Sequence, residues 1–122
     1  MKRLLGFLIM LALSLSIQAQ SISYIETTKG WYYIYDQSGK RIKTISSSLG
    51  ELAGYSSNFY IIKLISGFYV TYDAAGKHLH TFSTKSVGEI LNATGDTFTS
   101  RNGSWIYTWS KDGKKISTRS AR

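Results

Sequence analysis

The 122-residue chain contains neither cysteine nor proline, and it has only two histidines. Without cysteine, the chain has no disulfide, no thiol nucleophile, no thiolate ligand for a metal and no sulfur to carry a lipid anchor. Without proline, its turns depend on Gly, Asp, Asn and Ser, which bend the backbone by other means. The sequence therefore directs attention to turn-forming residues and away from thiol chemistry.

Acidic residues are also scarce, with 7 Asp and Glu against 15 Lys and Arg. The basic excess is spread along the chain and contains no run of Lys or Arg of the kind that marks a polyanion site. We therefore interpret most of this charge as solvated strand surface.

Residues 1–19 have the composition of a secretory signal. Lys2 and Arg3 precede the apolar run 4–17, and Ala19 supplies the small residue that a signal peptidase needs. A bilayer-spanning helix takes about 20 residues, which is longer than this run. We predict cleavage after Ala19, an exported protein in the periplasm or outside the cell, no membrane span after cleavage, and one mature domain, 20–122.

A period of 37 residues runs through the mature part. Trp31, Phe68 and Trp105 occupy equivalent positions, and each is followed eight residues later by a Gly-Lys pair. The period indicates three tandem units, approximately 20–48, 49–85 and 86–122.

Each copy has the pattern of a β-hairpin. After the aromatic residue, side chains alternate between two strand faces, and then a turn residue such as Asp36 or Asp73 precedes the glycine. We expect one face to form the core: Trp31, Tyr33, Tyr35; Phe68, Val70, Tyr72; Trp105, Tyr107, Trp109. We expect the other face, with Tyr32, Tyr69 and Ile106, to be exposed.

Further strands flank each hairpin. A strand precedes it (24–28, 59–65, 97–101) and another follows the turn (41–46, 78–83, 115–119), with Ile42, Leu79 and Ile116 directed inward. Leu49-Gly-Glu-Leu and Val87-Gly-Glu-Ile predict a fourth strand in the second and third units only. The prediction is an all-β protein of three antiparallel β-meander repeats of about 37 residues each.

The segments Val87-Gly-Glu-Ile-Leu, Gly95 to Ser100, Gly103 to Ser110 and Gly113 to Thr118 together resemble a four-stranded blade of WD40-like β-propellers. Lys29 to Lys40 resembles WG-type repeats. The unit lacks an opening Gly-His pair, and Trp-Ser or Tyr-Asp stands where Trp-Asp would be. The resemblance implies a meander repeat used for binding, without catalysis.

Propellers close with about four to eight blades, and this chain has three units. Three architectures remain open: one continuous twisted sheet of nine to eleven strands, a three-fold barrel-like body, or a ring completed by self-association. Unclosed units leave sheet edges that invite pairing.

We find no pattern for catalysis or for a cofactor. His78 and His80 share a strand face, but the equivalent residues are basic or polar (Arg41, Lys43, Lys115, Ser117), so we expect a solvent face and no metal. Glu51 and Glu89 occupy matching positions, which favours a role in the repeat over an acid pair. No nucleophile elbow, phosphate loop or dinucleotide motif is present.

These observations predict a secreted, non-enzymatic binding module whose partner is an envelope glycan or protein. The candidate ligand surface combines aromatic and basic residues: Tyr32, Tyr69, Arg41, Lys43, His78, His80 and Lys115. Stacking on nucleic-acid bases is disfavoured because the protein is predicted to be exported. The alternative is a structural protein that forms homo-oligomers to complete its sheet edges.

Overall fold

The computed structural model describes residues 21–122, so the predicted signal segment lies outside the described residues. Within this range, eleven strands form three separate antiparallel sheets. The first contains β1 (Ile22–Thr28), β2 (Trp31–Asp36) and β3 (Arg41–Ser46). The second contains β4 (Glu51–Tyr55), β5 (Phe59–Lys63), β6 (Phe68–Asp73) and β7 (His78–Ser83). The third contains β8 (Glu89–Thr94), β9 (Thr97–Asn102), β10 (Trp105–Ser110) and β11 (Lys115–Ser120).

The predicted fold class is confirmed: the protein is all-β, with tandem antiparallel meander units that resemble propeller blades. Strands pair in chain order within each sheet, and no described strand pairs with a strand of another sheet. Between the first two sheets, the Ile22 amide donates a single backbone hydrogen bond to the Ser57 carbonyl at 2.7 Å. A single continuous sheet, one of the three architectures considered, is therefore wrong. We refer to the three sheets as the first, second and third units.

A short helical turn links each unit to the next, a 3₁₀ turn at Ser47–Leu49 and α1 at Thr84–Val87. Ser46 and Ser83 cap these turns, since each side chain accepts a hydrogen bond from a backbone amide two residues on. The serine-rich connection is therefore itself a repeated feature.

The hairpin turns form as the sequence predicts. The Asp36 carboxylate accepts hydrogen bonds from the backbone amides of Ser38 at 2.9 Å and Lys40 at 3.0 Å. The Ser38 hydroxyl, followed by the Lys40 amide, lowers the pKa of Asp36 below its usual value. Asp73 repeats the turn, and the Ser110 hydroxyl takes the acceptor role in the third unit.

A β-bulge follows each of these turns. In the first unit Tyr35 pairs with Arg41 and Ile34 pairs with Lys43, so Ile42 is the extra residue. Leu79 and Ile116 are the extra residues in the other units. Because a bulge takes its residue out of the regular alternation, the predicted inward direction fails for Ile116, which is 52% exposed.

The sheets stack through two apolar cores. The first core lies between the first and second units and includes Ile25, Ile34, Tyr60 and Ile62. The second core lies between the second and third units and is largely aromatic, with Phe59, Tyr69, Phe82, Phe98 and Trp109. These are the only two clusters among the described residues, so the units stack in chain order and no core joins the third unit to the first. The three-fold barrel-like body is therefore not formed.

Each unit has a front face and a back face. The front faces carry Trp31, Tyr33 and Tyr35; Phe68, Val70 and Tyr72; and Trp105, Tyr107 and Trp109. The back faces carry Tyr32 and Ile34; Tyr69 and Thr71; and Ile106 and Thr108. The back of one unit packs on the front of the next, as Tyr69 and Phe82 pack on Phe98 and Trp109.

The predicted assignment of the front faces to the core and the back faces to solvent is wrong at the first two residues of each hairpin strand, although Val70 and Trp109 of the front faces are buried as expected. Tyr32, Tyr69 and Ile106 are 6%, 4% and 8% exposed, whereas Trp31, Phe68 and Trp105 are 46%, 43% and 50% exposed. The second unit is covered on both faces, as the run Phe59 to Ile62 shows with four consecutive buried side chains. Strand alternation separates two faces but does not indicate which of them another unit will cover.

Gly88, between α1 and β8, is required by both its conformation and its surroundings. Its φ is +83°, and a Cβ there would collide with the backbone carbonyl of Arg101. Gly103 also has a positive φ, of +62°, but a Cβ there would meet nothing within 4 Å.

We predict that Gly88→Ala lowers the free energy of unfolding by about 3 kcal/mol, the sum of left-handed strain and overpacking. Gly103→Ala, with the strain alone, should lower it by about 1 kcal/mol. Urea denaturation of both variants checks this. Equal losses would contradict the close approach of β8 to β9 at Gly88.

Candidate functional site

Two residues of the predicted ligand surface join units to one another. The Tyr32 hydroxyl donates a hydrogen bond to the Gly50 carbonyl at 2.7 Å and accepts one from the Leu52 amide at 3.2 Å. The Tyr69 hydroxyl donates to the Gly88 carbonyl at 2.7 Å. We call this contact the tyrosine clamp, because each tyrosine holds the start of the next unit's first strand. The expectation that Tyr32 and Tyr69 face solvent is thus corrected.

The second repeated contact involves Lys43 and His80, which occupy equivalent positions. A Cβ on Gly76, in the second unit's turn, would lie 2.8 Å from Cε of Lys43. A Cβ on Gly113, in the third unit's turn, would lie 2.6 Å from the His80 ring. Each side chain therefore lies across the turn glycine of the following unit. The predicted solvent face is wrong for His80, which is half-buried and packs edge-on against Phe82 with ring centroids 4.6 Å apart.

The third unit lacks both of these contacts. Ile106 stands where the clamp tyrosine would be, and Ser117 stands where Lys43 and His80 would be. Ile106 pairs with Arg101 on one side and Arg119 on the other, and every residue of β11 is exposed. The back of the third unit is therefore a polar end surface.

The three remaining predicted residues lie on front faces, each beside an aromatic ring. The Arg41 guanidinium is 4.0 Å from the centre of the Tyr33 ring, and the Lys115 ammonium is 4.3 Å from that of Tyr107. His78 lies edge-on to Tyr72, with ring centroids 6.2 Å apart. The repeat thus places a basic or imidazole side chain over an aromatic one in every unit.

Among the described residues, no other unit covers the front face of the first unit. Tyr24 and Trp31 are 53% and 46% exposed, and Tyr33 and Tyr35 are half-buried. We call this surface, with Arg41, the aromatic face. Tyr24 and Tyr35 stack with an interplanar angle of 14°, and the Tyr35 hydroxyl donates to the Glu26 carboxylate at 3.1 Å. The face is a preorganised layer of aromatic rings edged by one acid and one base.

The aromatic face is the strongest candidate site, and the sequence reasoning assigned it to the core. In the second and third units the equivalent face is indeed packed, through Tyr72 and through Tyr107 and Trp109. The signal that could have found the site is positional, because no other unit of residues 21–122 precedes the first unit in the sequence.

A smaller cleft brings together Glu51, Lys63, Tyr69 and Glu89. Burial, followed by the nearby Glu51 and Glu89 carboxylates, raises the pKa of Tyr69. In the strand registers, Glu51 is paired with Lys63 and Glu89 with Arg101. The two carboxylates thus occupy matching positions, each opposite a basic residue of the neighbouring strand.

Two other kinds of site are absent from the described residues. Nowhere in 21–122 do three His, Asp or Glu side chains gather as a metal site would require. The same part of the chain has no helix with the length and apolar character needed to cross a bilayer.

Comparison with known proteins gives likenesses in structure but not in sequence. No family model matches the chain, and no curated protein matches it in sequence. Among solved structures, the crystal structure of BamB from Moraxella catarrhalis aligns with a TM-score of 0.47 and 13% sequence identity. The alignment covers 79% of this chain and 33% of that one, so this chain spans about a third of that protein.

The tyrosine clamp predicts the effect of removing one oxygen atom. Tyr32→Phe and Tyr69→Phe should each lower the free energy of unfolding by about 1 kcal/mol, since a glycine carbonyl loses its donor. Tyr107→Phe is the control, because its hydroxyl makes no hydrogen bond within residues 21–122, and it should be close to neutral. Thermal and urea unfolding would measure the three variants, and a loss for Tyr107→Phe as large as the others would refute the clamp.

The buried tyrosines predict loss of stability in alkali. Burial raises the pKa of Tyr60, Tyr69 and Tyr72 above the usual 10.0, so the folded state retains protons that the unfolded state releases. Their contribution is complete below pH 10 and is lost as pH rises through the higher folded-state pKa values. Unfolding midpoints should therefore be level below pH 10 and fall above it, together with a delayed rise in tyrosinate absorbance. Ionisation of every tyrosine near pH 10 in the folded protein would contradict this.

Proposed function

We propose that the protein is a secreted, non-enzymatic interaction module of the cell envelope or exterior that binds its partner through the aromatic face. One observation supports this most directly. The front faces of the second and third units are covered by a neighbouring unit, whereas the aromatic front face of the first unit is left uncovered. Large exposed aromatic patches with adjacent polar groups are typical of interaction sites.

The composition of the face suits a protein partner. Tyr, Trp and Arg are the residues that most often dominate binding energy at interfaces, and this face combines Trp31, Tyr33, Tyr35 and Arg41. Stacking of Arg41 on Tyr33 limits the conformational entropy that both side chains would lose on binding. Since a sheet face covers the equivalent surface in the other units, a partner with a flat apolar face fits the geometry better than a glycan does.

Site-specific crosslinking tests this proposal. A photoreactive phenylalanine replaces Tyr33 on the aromatic face or, as a matched control, Thr108 on the polar end surface. In the producing cells, we expect Tyr33 to crosslink to one identified envelope protein and Thr108 not to do so. Addition of Trp31→Ser should abolish the Tyr33 crosslink, whereas Trp105→Ser, at the equivalent and equally exposed position, should leave it intact. Equal crosslinking from both positions would refute the proposal.

A glycan partner gives a different result in a separate measurement. Trp31 is exposed on the face, so a sugar ring stacked there would change its fluorescence. Titration with purified peptidoglycan fragments and lipopolysaccharide should leave the emission unchanged if the partner is a protein. A saturable change that disappears in Trp31→Ser would assign the face to a glycan.

The second candidate function is self-association, and one observation favours a particular form of it. A head-to-tail ring would place the third unit's back on the first unit's front, but that back lacks the tyrosine clamp and the residue equivalent to His80. Two aromatic faces packed on each other are better matched, because Glu26 and Arg41 lie on opposite outer strands of a three-stranded sheet. A two-fold axis along β2 would bring β1 of one copy opposite β3 of the other.

Light scattering over a range of concentrations distinguishes the two forms of assembly. A dimer that is lost in Trp31→Ser and in Arg41→Glu, but restored by Arg41→Glu with Glu26→Arg, would establish face-to-face pairing. A dimer unaffected by these changes would exclude the aromatic face as its interface. A monomer at all concentrations would leave the face available for a different partner.

A further inference from the structure

The inner edge of the first sheet differs from that of the other two. β5 is paired with β4 on one side and β6 on the other, and β9 is likewise paired with β8 and β10. β1 is paired with β2 alone within residues 21–122. The first sheet thus has three strands where the other two have four, and the strand it lacks would lie along β1.

The repeat fixes the register of such a strand. Ile34 is equivalent to Thr71, and these residues pair with Ile25 and Ile61, so Ile25 is equivalent to Ile61. Ile61 pairs on its other side with Gly54. By the same reasoning Tyr24 corresponds to Tyr60, which pairs with Tyr55. Thr27 corresponds to Lys63, which pairs with Glu51. A strand that pairs antiparallel with β1 would therefore begin opposite Thr27 and end opposite Tyr24.

The register also specifies side chains for that strand. Gly54 of β4 packs against β8, since a Cβ there would lie 3.7 Å from Cγ2 of Ile90 and 3.9 Å from Ala93. The residue at the Gly54 position of a strand on β1 would face Leu52 and Tyr55 of β4 instead. Because Tyr55 is far larger than Ala93, a glycine or another very small residue is needed there.

The charge pattern changes at the same edge. Glu51 is paired with Lys63 and Glu89 with Arg101, but the equivalent residue of β1 is the neutral Thr27. An acidic residue at the start of the incoming strand would have no basic partner on β1. The matching strand is therefore neutral, with a small residue near its centre.

The edge of β1 differs from the outer edges of the three sheets in its charge. The outer strands β3, β7 and β11 contain basic or imidazole residues such as Arg41, His78 and Lys115, whereas the one register shift in β1 lies between Ile22 and Tyr24, before residues 24–27. Basic side chains on an edge strand discourage pairing with other chains. β1 has the sequence Ile-Ser-Tyr-Ile-Glu-Thr-Thr, rich in strand-forming residues, with no Lys or Arg.

We propose that the edge of β1 accepts an extended, neutral segment of five or six residues from a partner polypeptide. The segment pairs antiparallel with residues 24–27 and places a small side chain against Tyr55, which completes the first sheet to four strands. The backbone hydrogen bonds to β1 provide the affinity for the segment. Selectivity comes from the requirement for a small residue near its centre and from the lack of a basic partner on β1 for an acidic residue. This edge is separate from the aromatic face and does not depend on that face being a binding site.

The test uses synthetic peptides and the protein purified after expression with its own N-terminus. The probe peptide copies residues 50–56 with Gln in place of Glu51, and binding is followed by hydrogen exchange at the amides of β1. We expect new protection in β1, and weaker binding of the peptide that retains the glutamate. The matched control is the probe N-methylated at the alternate amides that face β1, which should bind about tenfold more weakly or worse.

A second peptide tests the steric requirement independently. In this peptide, Leu replaces the glycine copied from Gly54. The change should abolish binding to the protein, whereas Tyr55→Ala in the protein should restore binding by making room for the larger side chain. Trp31→Ser, on the aromatic face, should leave peptide binding unchanged. The proposal is overturned if the N-methylated peptide binds as well as the probe, if β1 gains no protection, or if β1 is already protected before peptide is added.

Discussion

The structure depends above all on the hydrogen bond by which a tyrosine of one unit holds the glycine that opens the next. Tyr32 and Tyr69 are deeply buried, so their hydroxyls need partners, and the carbonyls of Gly50 and Gly88 need donors. The same contact brings β4 and β8 to the start of their sheets, where only glycine fits against the neighbouring backbone. Apolar packing stabilises the stack, but this directional bond fixes how one sheet is placed on the next.

The ends of the stack follow from the same contact. The third unit has Ile106 in place of the clamp tyrosine and presents threonine, serine and arginine, so its outer surface needs no covering sheet. The first unit presents aromatic rings at one face, and beside them the edge of β1 pairs with no other strand of residues 21–122. A repeat protein usually has polar surfaces at both ends. Here one end is polar and the other exposes aromatic rings, and this difference is the reason why we propose the first unit as the interaction surface.

The sequence predicted the architecture well because the period and the turns are local features. Gly39, Gly76 and Gly113, with the residues that cap their turns, determine where each hairpin reverses. The sequence did not predict which strand face is covered. Side chains alternate between the two faces in the same way whether a face packs on another sheet or is exposed to solvent. The expectation that Tyr32 and Tyr69 are exposed was wrong for that reason. The spacing of 18 residues from Tyr32 to Gly50 and 19 from Tyr69 to Gly88, absent from the last unit, was the available signal.

The histidines show how a repeat changes the meaning of a residue. A His-x-His pair on one strand suggests a metal site when it is considered alone. In the stack, His78 lies against Tyr72 on the front face while His80 crosses to the turn at Gly113 on the back, because the bulge at Leu79 separates their directions. Lys43 makes the equivalent contact at Gly76 with quite different chemistry. What the position requires is a side chain long enough to cross the turn of the next unit. Ser117 contacts no such turn within residues 21–122, and its side chain is correspondingly short.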